Sequence, residues 1–263
     1  MPGRRRAFTL TLALVLLWAA AAQAELIERG DLFVRFSGGI APNALPRHDR
    51  APIAVRVDGT VRTLSGERPP SLRGISIALN RGGRLDSRGL PRCERGRIDP
   101  STTAEALRAC RPALVGRGRY LAQVAFPDQE PFALRGRIVA FNARTEEGQE
   151  AILAHVYAAK PAPVTRIIVF RIHRRAGTYG TALRGAIPKS LNHYGYLRRL
   201  SLRLRRTYTW RGRPRSYLSA ACAAPPGFPG ALFPFARAAM RFDDGRRIAS
   251  TLTRSCRVRV RGR

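Results

Sequence analysis

An all-β fold is the class this 263-residue sequence predicts, and three observations point to it. Hydrophobic side chains alternate with period two: Tyr120, Ala122, Val124 and Phe126 share one face, as do Ile168, Phe170 and Ile172. The 24 glycines and 19 prolines interrupt the chain too often for long helices. Turn sequences of the Asp-Gly type sit between the alternating runs. The predicted architecture is an antiparallel β-sandwich, one large or two smaller, with one short helix near 101–110.

Strands are expected over 32–36, 72–79, 120–126, 137–141, 152–158 and 166–172. Three hairpins are expected as well. Asp58-Gly59 separates 53–57 from 60–64, and Asp243-Asp244-Gly245 separates 238–242 from 246–252. Arg211-Gly212-Arg213-Pro214 turns a third hairpin between Tyr208 and Tyr217. The helix is read from Thr102 as N-cap with Glu105 three residues on, the pattern of a capping box, running into Cys110. Lys160-Pro161-Ala162-Pro163 marks either the meeting of two sandwich halves over 25–263 or a turn within one domain.

The first 24 residues read as a secretory signal peptide. Arg4, Arg5 and Arg6 precede an apolar run from Phe8 to Trp18, and Ala22-Gln23-Ala24 forms an A-x-A site before Glu25. The apolar run is short for a bilayer span. Cleavage between Ala24 and Glu25 would leave a secreted or envelope-associated chain with no transmembrane segment. All four cysteines lie beyond that point, and an even count in an oxidising compartment reads as two disulfides. Of three connectivities, Cys93–Cys110 with Cys222–Cys256 is the expected one. No C-x-x-C or histidine spacing suggests a metal site, and no motif suggests a cofactor.

Charge is the strongest chemical signal. The formal net charge is +31, and all but Lys160 and Lys189 of the 48 basic residues are arginine. Residues 151–242 carry 17 Lys and Arg and no acid. Such a segment attracts polyanions. Within it, residues 197–210 read as one strand with Leu200, Leu202 and Leu204 inward and Arg199, Ser201, Arg203 and Arg205 outward. Arg211, Arg213 and Trp210 extend the cluster. Arginine forks clasp phosphate or carboxylate, and aromatic faces stack on bases or sugars. The expected partners are an anionic cell-wall polymer, an acidic glycan or an anionic lipid, with nucleic acid a further polyanion of the same class. The competing reading is a solvated basic face over core aromatics.

Catalytic patterns are sparse. Gly74-Ile-Ser-Ile-Ala78 lacks the second glycine of a nucleophile elbow. His155 alternates with Leu153 and Tyr157 and reads first as a packed histidine. As a general base of an envelope-directed hydrolase it would need an acid such as Asp128 or Glu130. A non-enzymatic binder is therefore the expected function, with the hydrolase and a plain interaction module as alternatives.

Three segments, Ile75 to Cys93, Ile152 to Tyr157 and Ser216 to Arg237, resemble a family of exported all-β proteins from high-GC actinobacteria. The resemblance spans the chain after the signal. It implies a bacterial envelope or extracellular setting and supplies no catalytic residues.

Overall fold

A computed structural model describes residues 25–126, 128–188 and 194–259, so the signal segment 1–24 lies outside the described residues. The described residues are all-β and mostly antiparallel, with one α-helix among them. The strands in order are β1 (Glu25–Arg29), β2 (Leu32–Ala41), β3 (Ala44–Leu45), β4 (Ala51–Pro52), β5 (Ala54–Thr63) and β6 (Leu72–Asn80). Then come β7 (Gly83–Leu85), α1 (Thr103–Cys110), β8 (Leu114–Val124), β9 (Phe132–Arg144), β10 (Glu150–Ala158), β11 (Val164–Arg174) and β12 (Tyr179–Ala186). The last six are β13 (Gly195–Leu204), β14 (Thr207–Trp210), β15 (Arg213–Ser216), β16 (Leu218–Ala220), β17 (Gly230–Phe242) and β18 (Arg247–Val258).

Thirteen strands form one sheet in the order β1-β2-β5-β13-β8-β9-β10-β11-β12-β6-β17-β18-β3. The predicted pair of facing sheets is instead this single sheet curled on itself, a half-barrel. Its two ends approach through side chains: Arg254 Nε donates to the Gly38 carbonyl at 2.6 Å, and Arg246 pairs with Asp31 at 2.8 Å. Alternation then assigns each strand a concave and a convex face. The concave face carries the main core, including Leu32, Val34, Phe36, Val55, Ala140, Ile152, Leu183, Met240 and Leu252. A small sheet of β4, β16 and β7 adds Leu85, Leu218 and Ala220 to that core.

Curling crowds the concave side, and glycine relieves it where neighbouring strands approach closely. A Cβ on Gly118 would fall 2.2 Å from the Ser201 carbonyl oxygen, and one on Gly136 2.3 Å from the Tyr120 ring. These two glycines let β8 bend against β13 and β9. Both stand between arginines, Arg117 and Arg119 in β8, Arg135 and Arg137 in β9, that point to the convex side.

Part of the convex face is covered. The segment 93–113, with α1, lies over β9, β10 and β11 and buries Val139, Phe141, Leu153 and Ile167 beneath Ile98, Ala106 and Ala113. The expected capping box forms: Thr102 N–H donates to Glu105 Oε2 at 2.8 Å, and Glu105 N–H to Thr102 Oγ1 at 3.3 Å. Cys93–Cys110 staples this cover, and Cys222–Cys256 ties the segment after β16 to β18. Both pairings are those expected from sequence. Lys160 to Pro163 lie in the turn of the β10–β11 hairpin, where Ala158 pairs with Val164 and the sheet continues unbroken.

Two local expectations are corrected. Asp58-Gly59 makes no turn, because β5 runs straight through it with Asp58 opposite Ser37 and Ser201. A strand flanked by ladders on both sides gains more hydrogen bonds than a local turn offers, so tertiary pairing overrides the dipeptide preference. The predicted single strand 197–210 is also split. β13 ends at Leu204, and β14 pairs only with β15 in a separate hairpin, where Arg211 and Gly212 take φ of 52° and 70°. The turn at Asp243-Asp244-Gly245 forms as expected, with Gly245 at φ 85°.

Two stability measurements follow from this architecture. Replacing Gly118 by Ala should cost ~1–3 kcal/mol in urea unfolding, since the obstructing atom is backbone. Converting Cys222 and Cys256 together to Ala opens a link of 34 residues and should cost ~3–4 kcal/mol on the chain-entropy model.

Candidate functional site

The uncovered convex face of β2, β5, β13, β8 and β9 presents arginines in cross-strand rows. Arg203 lies directly between Arg56 on β5 and Arg117 on β8. One step along, Ser201 lies between Asp58 and Arg119, and Arg119 faces Arg137 on β9. A further step brings Arg199 between Thr60 and Leu121, with Arg35 beyond Thr60 and Arg135 beyond Leu121. Adjacent strands are about 4.8 Å apart, so these guanidinium groups share one surface. Arg35, Arg56, Arg117, Arg119, Arg135, Arg137, Arg199 and Arg203 are all exposed.

Acids scarcely interrupt this lattice. Asp58 lies within it, held by Arg56 at 2.7 and 3.1 Å. Partial burial opposes its charge, yet hydrogen bonds from Arg56 and Ser201 hold its carboxyl below the ordinary range. Glu28 stands at the margin, on β1 opposite Phe33. Among the described residues, no ion pair engages Arg35, Arg117, Arg119, Arg135, Arg137, Arg199 or Arg203. Like charges directly opposite one another weaken a sheet. The lattice therefore carries an electrostatic cost that a bound polyanion would remove.

At one side the lattice opens into a shallow depression of about 580 Å³. Leu26, Phe33 and Leu121 form its apolar part, and Arg35, Arg62, Arg198 and Arg199 surround them. Arg62 stacks over the Phe33 ring at 4.3 Å. Arg198 sits at an irregularity in β13 and donates to Gln123 Oε1 at 3.0 Å. Apolar floor and cationic rim suit an anionic group carried on a carbon skeleton.

The residues singled out from sequence divide between two places. Arg199 and Arg203 belong to the lattice. Arg205 is exposed just past the end of β13, its N–H donating to the Val115 carbonyl at 2.9 Å. Arg211, Arg213 and Trp210 lie on the β14–β15 hairpin, away from it. Trp210 packs so tightly on Gly89 that a Cβ there would fall 2.0 Å from its ring, and Arg211 and Arg215 cover it at 4.7 and 5.5 Å. It acts as a packing residue. Sequence reasoning missed Arg35, Arg56, Arg117, Arg119, Arg135 and Arg137, which lie outside the acid-free segment. The signal was present in two Arg-Gly-Arg triplets with strand periodicity, 117–119 and 135–137.

His155 is fully buried under the α1 cover on the convex side of β10. Its Nε2–H donates to the Ser101 carbonyl at 3.0 Å, while Ser101 Oγ donates to the Ile98 carbonyl at 2.8 Å. The ring nitrogen that faces Ser101 Oγ, 3.2 Å away, thus already carries a proton and takes none from the hydroxyl. Among the described residues its buried Nδ1 has no hydrogen-bond partner. Asp128 and Glu130 lie in the β8–β9 turn before Phe132, seven positions along β9 from Val139, which pairs with His155. That is about 23 Å of strand. The geometry makes His155 a tie between β10 and the cover.

Burial lowers the His155 pKa below its ordinary 6.5, against smaller opposing effects of its hydrogen bonds and of Asp99. The unfolded chain then binds a proton more readily, so this contribution is complete above pH 6.5 and lost as pH falls below it. Unfolding free energy should decline between pH 7.5 and 5.5, and a His155→Gln variant should show a flatter decline over that range. No protein-family model, curated protein sequence or solved structure matches this chain.

Proposed function

We propose that this is an exported, non-enzymatic protein that binds an anionic polymer of the cell envelope through the convex arginine lattice. The observation that carries the reading is the row Arg56, Arg203 and Arg117, three cations side by side on adjacent strands of which one has an acidic partner. Rigid strands hold the guanidinium groups at the strand spacing, so a linear chain of phosphates or carboxylates can engage several at once. Arginine suits that task because its planar fork donates two parallel hydrogen bonds to one anion. Wall polymers with repeating phosphate, acidic glycans and anionic headgroup arrays share this chemistry.

Two further features support the setting. Two disulfides fit an oxidising compartment. Among the described residues no helix is long and apolar enough to cross a membrane. The signal-like start and the resemblance to exported actinobacterial proteins point to the same place. The buried, already protonated face of His155 gives the hydrolase alternative no support.

Binding of soluble poly(glycerol phosphate), titrated with NaCl, tests the proposal. Log affinity should fall linearly with log salt, and changing Arg56, Arg117 and Arg203 together to Ser should shrink the slope by ~2–3. Changing Arg211 and Arg213 to Ser should leave the slope near that of the unaltered protein. Equal losses from both variants would mean diffuse charge and would sink the lattice as a site.

A further inference from the structure

The concave face holds a second feature that the polymer reading does not use. Inward positions along β5 run Val55, Val57, Gly59 and Val61, a valine series broken once. At Gly118 and Gly136 the concave side leaves no room for a side chain. At Gly59 a Cβ would meet no atom within 4 Å. Gly59 also has no positive φ that would demand glycine. Backbone conformation and local space both admit a Cβ here, and the position is nevertheless empty.

The missing side chain opens onto a cavity of about 120 Å³ inside the curled sheet. Val57, Ile75, Ile77, Phe170, Leu200 and Met240 are among its walls, and no polar surface faces it. All of these but Met240 stay only partly buried although they point inward, because the lumen is unfilled. Water placed there finds no hydrogen-bond partner. An apolar cavity of roughly 150 Å³ is known to stay dry and to take up benzene.

We propose that this lumen is a binding site for the end of a single hydrocarbon chain, the acyl or alkyl tail of an amphiphile. Its volume admits about as much carbon as one aromatic ring, so the last few carbons enter and the remainder stays outside. Arg35 and Thr60 belong to the wall of the lumen, but strand alternation sends their side chains to the convex side, so the lumen itself stays apolar. The site is independent of the polymer lattice.

Thermal unfolding with added n-decanol, a neutral single chain, provides the test. Decanol should raise the midpoint of the unaltered protein. Gly59→Val should melt higher than the unaltered protein without ligand and bind decanol at least tenfold more weakly. Gly59→Ala, a smaller filling, should fall between the two. A variant with Arg199 and Arg203 changed to Ser should bind decanol normally, whatever the fate of polymer binding. Decanoate and a short-chain diacyl phosphatidylglycerol, compared in the same assay, separate a free acid from a lipid tail as the source. The proposal is overturned if no chain shifts the midpoint, if Gly59→Val binds decanol like the unaltered protein, or if the arginine variant loses decanol binding. Stabilisation by benzene with decanol silent would also overturn it, since the lumen would then be closed to chains.

Discussion

The close approach of β8 and β9 to their neighbours at Gly118 and Gly136 governs how this sheet closes. A sheet of thirteen strands left flat would expose one whole apolar face. Curling buries that face in a lumen, and it can do so only where concave side chains are absent at the tightest approach. Gly118 and Gly136 meet that need, since a Cβ on either would fall within 2.3 Å of a neighbouring atom. The same curvature spreads the convex face outward, giving long polar side chains room and water.

That division explains why arginine accumulates on one side. The triplets 117–119 and 135–137 each carry one inward glycine and two outward cations, so close approach and charge are written in the same three residues. The arrangement is not free of cost, because Arg203 faces Arg56 and Arg117 directly. Exposed ion pairs elsewhere, such as Arg88 with Asp86 and Arg95 with Asp99, contribute little individually. Stability rests on the lumen, the α1 cover and the two disulfides. Against it stands the unfilled lumen of about 120 Å³, which at about 24 cal/mol per Å³ costs on the order of 3 kcal/mol. An apolar cavity left open beside a position that would accept a Cβ is a place to look for a ligand.

His155 shows how burial converts a reactive-looking pair into a structural one. Serine and histidine lie 3.2 Å apart, but the ring proton already sits on the facing nitrogen and donates to a carbonyl. The pair holds the α1 cover to β10.

The residues alone determined the all-β class, the helix at 103–110 with its capping box, both disulfides and most strand positions. Those features depend on period-two alternation, local capping and cysteine parity, which are properties of short segments. Leu200, Leu202 and Leu204 inward and Arg199 and Arg203 outward were legible for the same reason. Which arginines meet is set by the strand pairing of the folded chain. Strand β13 inserts between β5 and β8, so residues more than 140 positions apart become neighbours 4.8 Å away, and no local pattern carries that pairing. The same insertion straightened Asp58-Gly59, because ladders on both sides outweigh a turn preference that acts on two residues. It also turned Gly59 from a turn residue into a gap in the wall of the lumen.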